Sequence, residues 1–306
     1  MTGSKEKIFI TGATGFLGSW IIARLIDRGI QVVATDIGTD HRRLELLKPE
    51  LAGAAIDSRI CDVTDAEALD ALIAETQPTG IIHLAALQIP QCRDNPARAA
   101  AINIGGHINM FEAARKHGID RIIYTSSIAA KPRGPANAPS NFYGVFKKTD
   151  EEISRIYWDE HKLPSLGLRP YVVFGVGRDD GETSAITRAI EAAALGRAYE
   201  IPFTTRSCFQ YAGDVADVFA RAVMSSWDGA LLSDVTDTVH STDDVVAAIR
   251  EVVPGAAVSC ADTVRVSPSD GFDTTALKQV IGDINELPLA EGVRETVALY
   301  REIAAR

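Results

Sequence analysis

Through the first 170 positions, short β-branched and aliphatic runs alternate with longer amphipathic stretches. The short runs at 7–11, 31–35, 58–61, 80–84, 121–126 and 165–169 predict strands, most of them apolar throughout, as parallel strands covered on both faces should be. The stretches between them predict helices with recognisable ends. A helix over 16–28 stops at Gly29, and Thr64-Asp65-Ala66-Glu67 has the form of a capping box opening a helix to about Glu75. Longer helices are expected over 97–117 and 143–161. Strand, helix and strand in regular alternation is βαβ architecture. Beyond Pro170 the rhythm loosens into Gly-, Asp- and Ser-containing connections around shorter helices at 184–195, 215–224 and 243–252. This part reads as a smaller α/β lobe facing a substrate. There is no internal repeat and no low-complexity segment.

The 306 residues, 46% of them hydrophobic, are enough for one large domain or two closely packed ones. A net charge of −10 argues against a nucleic-acid partner, which would need a basic surface to release phosphate counterions. Cys61, Cys92, Cys208 and Cys260 are scattered, with no CxxC spacing and no nearby histidine cluster, so neither a disulfide framework nor a metal site is expected. That usage fits a reducing cytoplasm. No apolar run approaches the roughly 20 residues of a membrane span, and a first strand at about Lys7 leaves little room for a signal peptide. A soluble, cytoplasmic protein without a membrane partner is expected.

Gly12-Ala13-Thr14-Gly15-Phe16-Leu17-Gly18 follows the first strand directly and opens the first helix, the context in which a glycine fingerprint signals a dinucleotide. Gly12 suits the tight turn, Gly15 a close approach of backbone to pyrophosphate, and Gly18 the packing of helix on strand. The unpaired amides of that helix would face the phosphates. The fold expected is therefore a Rossmann doubly wound parallel sheet. Its dinucleotide-binding domain would span 1–170, with 205–226 returning to it, and the substrate lobe would span 171–306. Asp36, ending the second strand about 20 residues after the turn, can accept both ribose hydroxyls and would repel a 2′-phosphate, which favours NAD over NADP. Arg42 and Arg43 nearby leave some compensation for a phosphate open.

Tyr143 and Lys147 stand four residues apart, on one face of the expected helix. A tyrosine near its reference value of about 10 is a poor base at neutral pH, and lowering it by about 3 units takes about 4 kcal/mol of preference for the phenolate. An ammonium and an oxidised nicotinamide could together supply that preference. Tyr and Lys at this spacing are commonplace on solvated helices. The pair gains meaning from Tyr124-Thr125-Ser126-Ser127 at a strand's carboxyl end, where α/β folds build sites and where Ser127 would hydrogen-bond a reacting oxygen.

Together with Asp62-Val63, His83-Leu84-Ala85-Ala86, Asn103 and Arg169-Pro170, these motifs resemble the extended short-chain dehydrogenases/reductases, the NAD-dependent epimerase/dehydratase family. The resemblance runs the length of the chain, through Phe209-Gln210-Tyr211-Ala212-Gly213-Asp214 and Leu287-Pro288-Leu289. It implies that Thr14, Phe16 and Leu17 join the glycines at the cofactor, that Asp62 and Val63 contact adenine, and that Leu84 to Ala86 line the ribose and phosphates. It places Asn103 behind the site, Thr125 beside the cofactor, Tyr143 as base, Lys147 on the nicotinamide ribose, and Pro170 and Val173 beside the nicotinamide amide. It implies a homodimer built on the two long helices, with Phe111, Tyr157 and Trp158 serving that interface or the core. Single members have plainer readings: His83 as a packed strand residue, Asp214 as an N-cap.

The substrate half departs from the nucleotide-sugar branch of that family. The loop from Ser127 to Tyr143 is short, and Val172 replaces an asparagine that touches substrate in many sugar-nucleotide epimerases. The expected arginine is displaced to Arg206, and the second diphosphate-binding arginine has only Arg265 as a candidate. A diphosphate would call for two paired cations. The expectation is hydride transfer at a secondary hydroxyl of a carbohydrate-like small molecule, with Gln88, Ser127 and Arg206 touching it. A nucleotide-sugar epimerase that retains NAD is the alternative, and a non-catalytic NAD-binding regulator is a further one.

Overall fold

In the computed structural model, residues 6–51, 56–132, 137–181, 183–268 and 271–306 are described. The first six strands are β1 (Lys7–Thr11), β2 (Gln31–Asp36), β3 (Asp57–Ile60), β4 (Gly80–His83), β5 (Ile122–Thr125) and β6 (Ser165–Arg169). Beyond them lie β7 (Val172–Phe174), β8 (Tyr199–Ile201), β9 (Arg206–Ser207), β10 (Phe209–Tyr211), β11 (Ala230–Asp234), β12 (His240–Ser241) and β13 (Val258–Cys260). Seven form one parallel sheet in the order β11-β6-β5-β4-β1-β2-β3. This is the Rossmann doubly wound arrangement. The chain leaves β3 at one edge and returns as β4 on the other side of β1. The carboxyl ends of β1 and β4 therefore flank the point where strand order reverses, the crevice in which such sheets hold ligands.

Strand alternation sends neighbouring side chains to opposite faces, so Ile8 and Ile10 enter one core and Phe9 the other. On the first face lie α1 (Phe16–Asp27) and, later, α9 (Ala212–Val223), which pack on each other. The opposite face is covered by α3 (Ala66–Thr76), α6 (Gly106–His117) and α7 (Phe142–His161), with Met110, Phe111 and Tyr124 buried between. Short helices α2 (Arg42–Leu47), α4 (Ile89–Asp94) and α5 (Pro96–Ala100) fill connections. The first core continues without interruption into the later part of the chain, through Phe219, Val245 and Val293. There α8 (Ala185–Ala194), α10 (Thr242–Val252), α11 (Thr275–Ile281) and α12 (Leu289–Ala305) surround the two-stranded pairs β7–β10, β8–β13 and β9–β12.

Two local expectations change, and one sheet strand has no counterpart among the expected ones. The helix expected over 97–117 is interrupted by a wide π turn at Ala101–Gly105 that carries Asn103. Thr64 is not the cap of α3: its hydroxyl donates to Asp62, and Asp65 caps the helix by accepting from Ala68 N. The seventh sheet strand, β11, carries no clear signal in the sequence, because Ala-Leu-Leu-Ser-Asp is short and its first three residues are only half-buried.

Candidate active site

The glycine turn is shaped by contacts that leave no room for side chains. Gly12 has φ +66°, and a Cβ there would lie 2.9 Å from Ala85 N. One on Gly18 would lie 2.4 Å from Gly12 O. Gly15 caps α1 in extended conformation with no side-chain bond, so the first amides of α1 remain for a ligand. Asp36 is tied to the same turn: Thr14 donates to Oδ2 through its amide (3.0 Å) and hydroxyl (2.7 Å), and Ile37 N donates to Oδ1 (2.8 Å). Arg43 is committed elsewhere, to Gly177 O, Thr14 O and the Asp179 carboxylate. A backbone cradle closed to Cβ atoms, open helix amides and a fixed carboxylate fit a dinucleotide without a 2′-phosphate. Phe16 and Leu17 are half-buried in the first turn of α1.

Around the strand ends, Thr11 Oγ1 accepts from both Leu84 N and Ala85 N at 3.2 Å and meets His83 Nδ1 at 2.8 Å. Burial drives His83 down to about 3, so its ring is a neutral packed residue. Ala86 is half-buried beside them. Asn103 brackets Leu87, accepting from its amide (2.8 Å) and donating to its carbonyl (3.0 Å), which holds the segment after β4 against the π turn. Asp62 is exposed and accepts from Thr64, while Val63 is buried against Gly106.

Ser127 follows β5 and N-caps a short 3-10 turn over Ile128–Ala130, accepting from Ala129 N at 3.1 Å. Helix α7 begins against that turn. Its cap Asn141 accepts from Gly144 N (2.8 Å), and a Cβ on Gly144 would lie 2.2 Å from Ala129 O. This backbone contact sets Tyr143, 8% exposed, beside the Ser127 turn, with Lys147 one helical turn further and 4% exposed. Thr125 ends β5 half-buried, Pro170 is buried with its carbonyl accepting from Ile128 N, and Val173 is buried on β7. Behind them Glu151 is held bidentately by Arg169, at 2.7 Å for each bond, and accepts from Ser126.

Of the expected substrate residues, Ser127 belongs to this cluster, while Gln88 and Arg206 are on the surface. Gln88 is exposed at the N-cap of α4, and Arg206 is exposed on β9. Arg265 stacks over the Phe203 ring at 5.4 Å. Asp214 is not an N-cap: Tyr211 occupies that position, and Asp214 in the first turn of α9 accepts from Leu287 N at 2.9 Å. Three residues near the site escape the sequence reading. Arg178 lies over the Phe16 ring at 5.6 Å with a buried Nε that has no partner among the described residues. Asp150 pairs with Lys147 at 3.3 Å, and Glu151 anchors Arg169. A positively charged residue after Gly-Val-Gly and two acids three and four residues beyond Lys147 are the available signals.

No helix among the described residues is long and apolar enough to cross a membrane. Residues 8–230 match the NAD dependent epimerase/dehydratase family. A UDP-glucose 4-epimerase of Mycolicibacterium smegmatis is 28% identical, over 96% of this chain and 98% of its own length. Among solved structures, the UDP-glucose 4-epimerase of Thermus thermophilus in complex with NAD superposes with a TM-score of 0.76 at 23% identity, covering 96% of this chain and 99% of that one. L-threonine dehydrogenase from Clostridium difficile superposes at 0.84 with 19% identity, covering 97% and 98%. These two share the fold. The family match together with the glycine cradle and Asp36 settles the class: the chain belongs to the NAD-dependent epimerase/dehydratase family, an NAD-dependent enzyme of the epimerase or dehydrogenase type.

Proposed function

We propose that this enzyme oxidises, reversibly, a secondary hydroxyl of a small carbohydrate-like compound such as a free sugar, a sugar acid or a related polyol. The observation that supports the reading is the close approach of Gly144 to Ala129, which packs the start of α7, with buried Tyr143 and Lys147, against the 3-10 turn that Ser127 caps. Tyr143 takes the proton from the substrate hydroxyl, Ser127 hydrogen-bonds the same oxygen, and the Lys147 ammonium favours the phenolate. NAD, when bound, accepts the hydride from the carbon that carries that oxygen, leaving a ketone. Gly12, Thr14, Gly15, Phe16, Leu17 and Gly18 would hold the diphosphate, Asp36 the adenosine ribose, and Asp62 and Val63 the adenine. Leu84, Ala85, Ala86, Asn103, Thr125, Pro170 and Val173 would line the remainder. Residues 1–170 with 205–226 would form the cofactor half and 171–306 the substrate half.

A free small substrate is favoured over a nucleotide sugar by the sequence: Val172 stands where many sugar-nucleotide epimerases have an asparagine, and the segment from Ser127 to Tyr143 is short. The second reading, a nucleotide-sugar epimerase that keeps its NAD, is supported by the relative that matches 96% of the chain. Screening the purified enzyme with NAD against free sugars, sugar acids, polyols and UDP-hexoses, while following NADH absorbance, separates the two. NADH formed in proportion to a free substrate supports the dehydrogenase; interconversion of UDP-hexoses without NADH accumulation overturns it. Tyr143→Phe that retains NAD binding and full cellular function would instead establish a non-catalytic regulator. We also place the enzyme in the cytoplasm as a homodimer through α6 and α7, whose exposed Ile108, Val145 and Ile156 offer apolar surface; a monomer mass in sedimentation overturns the dimer.

A further inference from the structure

Positions 143, 147, 150 and 154 lie on one face of α7, turned toward the sheet, and all four are buried. Two of them are Tyr143 and Lys147. The third, Asp150, is a carboxylate with no exposed surface: Oδ2 lies 3.3 Å from Lys147 Nζ, and Oδ1 has no partner among the described residues. The fourth, Ser154, donates to the Asp150 carbonyl and meets His107 Nε2 at 3.1 Å. A buried charge left half-satisfied is costly, so its placement asks for a reason.

The groups that face Asp150 leave it little choice of partner. From α6 comes His107, held far below its ordinary range by burial and hence neutral; its Nδ1 is likewise without a partner among the described residues. From β4 comes His83, also neutral. From β5 comes Tyr124, whose phenol burial pushes up and out of reach. On α7 itself, Glu151 is already saturated by Arg169 of β6 and by Ser126, and Lys148, half-buried, pairs with Glu151 and Glu152. Lys147 is therefore the one cation in direct contact with Asp150, and Asp150 the one anion in direct contact with Lys147, among the described residues.

We propose that Asp150 is a positioning residue that acts through Lys147, deciding how much of the ammonium's charge reaches the Tyr143 phenol and so the pH at which the site becomes competent. This deepens the proposed function, since it rests on Tyr143 being the base. Seven residues of helix set the Tyr143 and Asp150 Cα atoms about 10 Å apart along the axis. A unit charge at that distance, in surroundings with an effective dielectric of about 20, moves a titration by about one pH unit. Burial pushes the Asp150 carboxyl up to about 7, with Lys147 pulling it back, so its opposing charge is present above neutrality and withdrawn below it. The lysine is thus fully unmasked on the acid side, where a base is otherwise hardest to generate.

The test needs no substrate, which separates its failure from that of the proposed reaction. The phenolate absorbance of NAD-loaded enzyme is titrated for the wild-type and Asp150→Asn proteins, each minus its Tyr143→Phe counterpart. Tyr124, Tyr157, Tyr171, Tyr211 and Tyr300 are all pushed to higher pH by burial, which helps the difference signal stand clear. The expected result is a midpoint about one pH unit lower in Asp150→Asn, with Asp150→Glu returning it to the wild-type position. Coincident midpoints in folded Asp150→Asn overturn the proposal. If Asp150→Asn does not fold, Asp150→Ser is read in the same way, and failure of both to fold overturns the proposal by assigning Asp150 a purely structural role.

Discussion

The two sides of the site that we propose for cofactor and substrate are built from different materials. Around the ends of β1 and β4, closeness is between main-chain atoms: the cradle at Gly12 and Gly18 is set by contacts that a single methyl would violate. Around the end of β11 and the turn after β5, closeness is between side chains. Lys131 reaches Asp234 at 2.7 Å and lies over Phe272, while Tyr171 meets Phe272 edge-on at 4.9 Å and bonds Asp234. Backbone shape tolerates change in most side chains around it, whereas side-chain surfaces change with every substitution. This difference explains how sugar epimerases and threonine dehydrogenases can share one fold with this chain at 19–28% identity.

The largest test of that contrast is Tyr143→Phe. Removing the hydroxyl should lower kcat about 1000-fold, within the range general-base loss produces, while NAD affinity measured by fluorescence quenching stays near the wild-type value. A parallel collapse of NAD binding would mean that the two sides are not separable. Gly18→Ala comes next. Its Cβ would meet Gly12 O at 2.4 Å, and an overpacking cost of about 1–3 kcal/mol corresponds to NAD binding weakened about tenfold to hundredfold, with substrate preference across a panel unchanged. Unaltered NAD affinity would show that the cradle yields more easily than its contacts suggest.

The same division decides what the sequence reveals. Periodicity marks β1 to β6, and the strands begin and end within a residue or so of those positions; for all but the edge strand β3, whose Asp-Ser-Arg-Ile is exposed or half-buried, both-face burial forces an apolar run. Gly12, Asp36, Ser127 and Tyr143 stand out because each sits at a strand end or a helix start, and Lys147 because it stands four residues beyond Tyr143. The π turn at Asn103 does not, since nothing in Ala-Ile-Asn-Ile-Gly distinguishes it from ordinary helix. The roles of Asp65 and Thr64 are exchanged because both are good caps and only the chain's entry angle chooses between them. Asp150 reads as one more acid on a charged helix until the fold turns it inward, and Arg178 follows a glycine loop with no periodicity to place it.

On the substrate side, Arg206→Ala sharpens the comparison with a smaller effect. An exposed cation that touches no substrate should cost no more than about 0.5 kcal/mol, about a twofold change in KM for a free sugar or sugar acid. A tenfold or greater loss of UDP affinity in a binding titration would place a diphosphate beside β9 and restore the nucleotide-sugar reading.

The smallest effect probes the seam between the two sides, where Asp214 of α9 accepts from Leu287 N just ahead of α12. Burial raises the Asp214 carboxyl to about 6, the Leu287 amide partly opposing it. The unfolded chain ionises this group near pH ~4, so the folded state holds the proton more tightly. The stability this confers is complete below about pH 4 and is lost as the pH rises through about 6. Asp214→Asn keeps an acceptor for the amide and never carries the charge. Its melting temperature should match the wild type at about pH 4 and exceed it by about 1–2 °C at about pH 7.5, a shift on the scale of a fraction of a kcal/mol in a domain of this size. A difference that stays constant across that range would show that Asp214 contributes by shape alone, leaving the seam as insensitive to charge as the glycine cradle.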